Sequence, residues 1–227
     1  MKKNILIAFA ILLVTFGFQT KAHAGGLGGF GIKGGLAIST IGSDDEDFGT
    51  AKNRFRLGGT GGIGYEFATP GTFAFEIEAL YDLRGQKQKF DNAFYGEGTV
   101  KDYLHYINVP MSMKFYIGDV FNIHFGGYVG VAVAGTRNLV GDGLITTETK
   151  LDLFSEDLQD FDGDDYLNRL DGGVHFGVEF VGTKGFGVGS RAYVGLADIT
   201  NDKHDFLGSG KARTSEVSVY AIIRIGR

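Results

Sequence analysis

From Phe30 to Ile225 the sequence keeps returning to a period of two, and this alternation constrains the fold more than any other feature. Phe30, Ile32, Gly34, Leu36, Ile38 and Thr40 share one parity, against Gly31, Lys33, Gly35, Ala37 and Ser39. Phe55, Leu57, Gly59, Gly61, Ile63, Tyr65 and Phe67 then stand opposite Arg54, Arg56, Gly58, Thr60, Gly62, Gly64 and Glu66. After the Pro70-Gly71 turn, Phe73, Phe75, Ile77, Ala79, Tyr81 and Leu83 alternate with Glu76, Glu78, Asp82 and Arg84. Side chains that switch faces at every residue belong to β-strands, because a helix repeats every 3.6 residues. The 38 glycines and 20 phenylalanines add the composition of a curved, aromatic-rich sheet.

Five further segments continue the pattern: Tyr103 to Ile117, Phe121 to Val133, Leu170 to Phe180, Val188 to Leu196, and Glu216 to Ile225. Short connections join the second strand to the third, the fourth to the fifth and the sixth to the seventh. The other connections are long: Gly42 to Asn53, Gly85 to Asp102, Asn138 to Arg169, and Thr200 to Thr214. Short turns at one end and long loops at the other are the layout of an outer-membrane barrel. The fold class expected is therefore all-β, an eight-stranded antiparallel up-and-down transmembrane β-barrel. Pro110 falls inside the fourth strand, where a closed barrel has no edge to absorb a missing donor, so a bulge or a ladder break is expected there.

Alternation is shared with soluble β-sandwiches, whose apolar face packs inward. Three observations favour a barrel with its apolar face toward lipid. No Lys, Arg, Asp or Glu falls on the apolar parity within the strand cores. Tyr65, Phe67, Phe73, Tyr81, Tyr103 and Phe121 gather near strand ends, where an aromatic girdle would sit without any Trp. The polar parity carries Lys33, Arg54, Arg56, Arg84, Lys114, Arg191 and Arg224 against Glu66, Glu76, Glu78, Asp82, Asp171, Glu179 and Glu216. Seven charges of each sign in an eight-stranded interior, just wide enough for side chains, imply a lumen plugged by ion pairs. A selective pore would carry a surplus of one sign. The alternative is a passive small-solute channel.

The first 24 residues read as a cleaved signal peptide: Lys2 and Lys3, an apolar run from Ile5 to Phe18, then Ala22-His23-Ala24. A 14-residue helix rises about 21 Å, short of a roughly 30 Å hydrocarbon core. The barrel domain is then 25–227, and loss of the three leader lysines takes the net charge from −5 to −8. Nucleic acid is a poor partner for a chain of net charge −5, and none is expected. The absence of Cys excludes disulfides, thiolate metal sites and a thiol nucleophile.

Several motifs invite a sharper function. Gly59 to Gly64 and Gly26 to Gly31 satisfy GxGxxG, but strand alternation runs through the first to Phe67 with no helix behind it, so both read as Gly-rich barrel strand. Asp160, Asp162, Asp164, Asn168 and Asp171 sit at calcium-loop offsets 1, 3, 5, 9 and 12. Asp165 replaces the required Gly and no Glu closes the loop, which favours a solvated acidic loop over a divalent-cation site. His124 and His175 share the inward parity on neighbouring strands, as members of the interior network or, less economically, a metal pair; His105 and His204 complete the set beyond the leader. No GxSxG or Ser-His-acid spacing is present. The residues assign no catalytic, cofactor or metal position, and a lipid- or peptide-cleaving barrel stands as the remaining alternative.

The chain resembles the PorT-like small outer-membrane β-barrel proteins of Bacteroidota. Gly31-Ile32-Lys33-Gly34-Gly35-Leu36 is similar to that family's first strand, with Ala37 where Asn is common. Tyr106-Ile107-Asn108-Val109-Pro110 with Lys114-Phe115-Tyr116 resembles its Pro-containing strand, and Arg191 to Ile199 its penultimate one. Such barrels usually end on an aromatic residue, where this sequence reads Ile225-Gly226-Arg227. The resemblance implies the bacterial outer membrane, no catalytic residues, and a structural, interaction or secretion-accessory role. The partners expected are outer-membrane lipid and secretion or envelope proteins, around a monomeric barrel.

Overall fold

The computed structural model describes residues 28–43, 52–69, 72–92, 96–141, 148–154, 168–199 and 211–225. Ten strands cover them: β1 (Gly29–Ser43), β2 (Lys52–Arg54), β3 (Arg56–Ala68), β4 (Phe73–Asn92), β5 (Gly96–Ile117), β6 (Phe121–Gly141), β7 (Glu148–Asp152), β8 (Leu170–Val181), β9 (Phe186–Gly195) and β10 (Ala212–Ile225). Eight of them close a ring in the order β3-β1-β10-β9-β8-β6-β5-β4 and back to β3, every pairing antiparallel. The expected eight-stranded up-and-down barrel is the observed fold. The two short strands are accessories, β2 pairing with β4 and β7 with β6 at the long-loop end.

Alternation turns the fold inside out relative to a soluble protein. On β10, Val219 is 61% exposed while its neighbours Tyr220 and Ser218 are buried. On β8, Phe176 is 56% exposed between buried His175 and Gly177. Apolar side chains thus form the outer wall and polar ones fill the interior, a distribution that is favourable only when the surroundings are lipid.

Three strands differ from the sequence expectation. Gly85 to Asp102 is not a loop: β4 and β5 remain paired from Arg84↔Leu104 to Asn92↔Gly96, leaving only 93–95 undescribed at the tip. Gln86-Lys87-Gln88-Lys89 is polar on both parities, so the backbone ladder continues where hydrophobic contrast has ended. β6 likewise extends to Gly141, through a bulge at Val133, since His105 pairs with Ala134 and Tyr106 with Ala132. The extra residue switches the inward parity from even to odd, from Tyr128 and Ala132 to Gly135 and Arg137. Pro110 produces a ladder break rather than a bulge. The β4–β5 register passes from Ile77↔Met111 to Leu80↔Asn108 without a shift, and the β6 side, Pro110↔Tyr128, stays paired.

The aromatic belt is concentrated at the short-turn end. Phe30, Tyr65, Phe67 and Phe75 form a chain of ring contacts with centroids 4.7 to 6.2 Å apart. Phe73–Phe115 and Phe121–Phe180 add pairs at 5.2 and 4.6 Å. Tyr81 and Tyr103, assigned to the same girdle from sequence, stand away from it, Tyr81 near the middle of β4 and Tyr103 on the loop half of β5. Glycines inside the wall make room for inward rings. A Cβ at Gly189 would stand 2.7 Å from the Tyr220 ring, so that ring lies over bare backbone.

Candidate functional site

The inward residues of β4 run Glu76, Glu78, Leu80, Asp82, Arg84 and Gln86 from the short turns toward the loops, and they divide the lumen into layers. In the lowest charged layer four cations meet four carboxylates. Lys33 Nζ contacts Glu76, Glu78 and Glu179 at 2.9, 2.7 and 2.6 Å. Lys114 Nζ contacts Glu66, Glu76 and Glu179 at 3.2, 2.7 and 2.6 Å. Arg224 reaches the same three acids at 2.8 to 3.5 Å, and Arg191 pairs with Glu78 at 2.6 Å. Tyr116 donates to both oxygens of Glu66, and Tyr220 to Glu179 at 3.0 Å. Seven strands contribute these groups, so the layer is a tie across the whole bore. Buried charges of this kind persist only when each has a partner.

The next layer is acidic. Arg84 alone faces Glu216 at 2.9 Å, Asp171 at 2.9 Å and Asp82 at 3.4 Å. Thr214 donates to Asp171 at 2.6 Å, and Asn108 donates to Asp82. The rings of Tyr106, Tyr128 and Tyr193 surround the Arg84 guanidinium at 5.2 to 5.3 Å, adding cation–π attraction to one cation held among three acids. Above it, Arg137 grips Asp102 through two bonds of 2.6 and 2.8 Å, and Gln86 donates to the same carboxylate at 2.9 Å. A bidentate Arg–carboxylate fork is the strongest geometry such a pair offers.

The loop end is capped by an apolar cluster. Leu153 and Phe154, after β7, and Ile199, after β9, pack on Ile41, Leu104, Tyr106, Ala132 and Ala212. Phe154 fits because position 135 is Gly, where a Cβ would lie 2.7 Å from its ring. Arg169 stacks on Phe154 at 4.7 Å and donates to its carbonyl at 3.1 Å. Loop segments are thereby pinned into the mouth of the barrel.

All seven acids assigned to the interior from sequence are buried there, with Lys33, Arg84, Lys114, Arg191 and Arg224. Arg56 departs: it is half-buried at the start of β3, donates to the Arg84 carbonyl at 2.7 Å and stacks on Tyr103 at 3.8 Å. The side chain of Arg54 lies outside the described residues. Asp102 and Arg137 were missed, the first because its segment read as a loop and the second because the Val133 bulge inverts its parity. No periodicity signals the cap, whose residues meet only in three dimensions.

The tempting motifs resolve differently. Gly59 to Gly64 lies within β3, paired on both sides. Asp160, Asp162 and Asp164 lie outside the described residues, while Asp171, the twelfth offset of the calcium-loop pattern, is a lumen ligand of Arg84 and Thr214 instead. His124 and His175 do come together, ring centroids 6.0 Å apart. Arg191 donates to His124 Nε2 at 3.1 Å, which makes that nitrogen an acceptor and commits it to the network. Ser112 Oγ lies 3.4 Å from His175 Nε2, a pairing not visible in the sequence. His175 Nδ1 meets no carboxylate among the described residues, so nothing orients the ring as a triad requires. Both Ser112 and His175 are buried.

No curated protein sequence matches the chain significantly. Among solved structures, Neisserial surface protein A is 12% identical over 86% of this chain and 97% of that one, with a TM-score of 0.44. Ail, the attachment invasion locus protein of Yersinia pestis, is 12% identical over 87% and 99%, with a TM-score of 0.44. OprG from Pseudomonas aeruginosa is 13% identical over 90% and 97%, with a TM-score of 0.36. The family described as "Outer membrane protein beta-barrel domain" matches residues 19–201. A closed barrel with an apolar exterior and a charged interior agrees with that match, and the chain belongs to the outer membrane protein beta-barrel domain family, a resident of the bacterial outer membrane.

Proposed function

We propose that the protein is a non-enzymatic, non-conducting barrel that serves the cell envelope as a structural and interaction component, presenting its long acidic loops outside. The observation that carries this reading is the lowest lumen layer, where Lys33, Lys114, Arg191 and Arg224 are matched by Glu66, Glu76, Glu78 and Glu179 across the bore. An ion moving through would have to part contacts of 2.6 to 3.2 Å in a region where unpaired charge costs several kcal/mol. The apolar cap adds a second obstruction at the mouth. Planar-bilayer recordings of the refolded protein are expected to show a silent membrane. Steady unitary conductance would overturn the plug in favour of a passive small-solute channel.

The enzymatic alternative lacks support at Ser112 and His175, which are buried, unoriented by an acid, and placed among charges that already satisfy one another. The resemblance to PorT-like barrels adds a finer proposal, an accessory role in secretion or envelope assembly. Crosslinking in the native outer membrane, with mass spectrometry of a loop-tagged protein, is expected to recover stoichiometric envelope partners. Recovery of the barrel alone would overturn that role.

A further inference from the structure

The charge that the lumen does not use is sorted on the outer wall. Above the apolar belt, Lys87 on β4 stands directly opposite Lys101 on β5. On the other side of Lys87 the register places Arg54 of β2, and beyond Lys101 it continues to Asn138 on β6 and Lys150 on β7. Directly opposed positions share a face, so one row crosses five strands with basic residues at four positions and no acid. The row next out pairs Lys52 with Lys89. Like charges directly opposite each other in a sheet repel and destabilise it. Among the described residues no carboxylate pairs with Lys87 or Lys101, both of which are half-exposed. The opposed acids Asp91 and Glu97 stand further out again, away from the belt.

The height of this row identifies what neutralises it. On β4 the outward apolar positions run from Phe73 to Leu83. Ten residue steps at about 3.3 Å, tilted about 40°, span roughly 25 Å along the membrane normal, the height of an outer-membrane apolar band. Lys87 lies four residues beyond Leu83, roughly 10 Å higher by the same arithmetic, and a lysine stem reaches back several ångströms to keep its charge at the interface. Amphipathic groups suited to that boundary mark it: Tyr81, near the top of the belt, is hydrogen-bonded to His105, and Tyr103, between belt and row, is stacked under Arg56 at 3.8 Å. The basic row therefore sits at the headgroups of the outer leaflet, in a protein whose overall charge is −5.

We infer that the outer face of β4 and β5 at Lys87 and Lys101 is a docking surface for the phosphate groups of an anionic outer-leaflet lipid. The phosphates screen the repulsion among opposed lysines, while the acyl chains lie along Leu83, Tyr81 and Ile107 below. The occupant is a lipid rather than a soluble anion because the row joins the apolar belt without a gap. This inference is independent of whether the lumen conducts.

The test uses the full barrel refolded into phosphatidylcholine vesicles, alone or doped with diphosphoryl lipid A, and reads acylation of individual lysines by mass spectrometry. Diphosphoryl lipid A is expected to slow acylation of Lys87 and Lys101 by at least five-fold, leaving Lys184 in the exposed turn at the opposite end unchanged. It should also raise the temperature at which the folded band is lost, an increase absent from Lys87→Gln/Lys101→Gln. Equal reactivity in both vesicles overturns the inference. So does equal protection by dephosphorylated lipid A, or protection by inorganic phosphate alone, which would assign a soluble-anion site. Should the double variant not fold, the footprint of the unaltered protein decides.

Discussion

At the scale of residues, the interior is held by charges that are individually expensive and paired across the bore. Glu179 is the clearest case, receiving Lys33, Lys114, Arg224 and Tyr220 on its two oxygens. Glu179→Gln removes one negative charge and leaves three cations to share what remains. The expected cost is about 3–5 kcal/mol, the range for breaking a buried pair from one side. Urea titration of the folded band in lipid vesicles measures it, and a loss below about 1 kcal/mol would mean that the layer relaxes by admitting water. The identity of these charges was legible in the sequence, because polar parity in a narrow barrel has only one place to go. Their pairing was not, since Lys33 and Glu179 lie 146 residues apart and meet only when β1 and β8 face each other across the bore.

At the scale of elements, the strand cores could be read where one face meets lipid and the other the lumen, because the two environments demand opposite residues. Beyond the membrane that contrast vanishes, and β4, β5 and β6 continue as hydrogen-bonded hairpins that hydrophobicity cannot reveal. The Val133 bulge shows the consequence most sharply, since absorbing one extra residue on the outer face lets odd-numbered Arg137 point inward at Asp102. Deleting Val133 should regularise the ladder and leave Arg137 aimed at Asp102, because the two residues that face outward in succession, Val133 and Ala134, become one. Asp102→Asn is then expected to destabilise the unaltered barrel and the deletion variant alike by about 2 kcal/mol, as for a charged hydrogen-bonded pair. A cost that vanishes in the deletion variant would show that the bulge itself, and not strand parity beyond it, aims Arg137.

At the scale of the whole molecule, two groups of contacts lie across one bore: an ionic layer near the short turns and an apolar cluster at the mouth. Leu153→Ala/Phe154→Ala removes much of the cap, and burial lost at two core side chains should lower stability by several kcal/mol. Because the ionic layer remains, the variant is still expected to be silent in planar bilayers. Conductance appearing on cap removal alone would move the seal to the mouth and make the ionic layer permeable. Residues 1–24 lie outside the described residues, and the proposal that they form a leader is checked by N-terminal sequencing of the protein from its membrane, expected to begin at Gly25.

The sequence by itself determined that the chain forms a lipid-facing barrel of eight principal strands with a charged interior, because period-two alternation, turn spacing and parity are local properties that any short window of the chain displays. Only the tertiary structure decided which charges meet, that three acids crowd Arg84, that Leu153, Phe154 and Ile199 cap the mouth, and that Arg54, Lys87 and Lys101 fall into one row. Those facts depend on strand register and on closure of the ring, which bring together residues that no local pattern links.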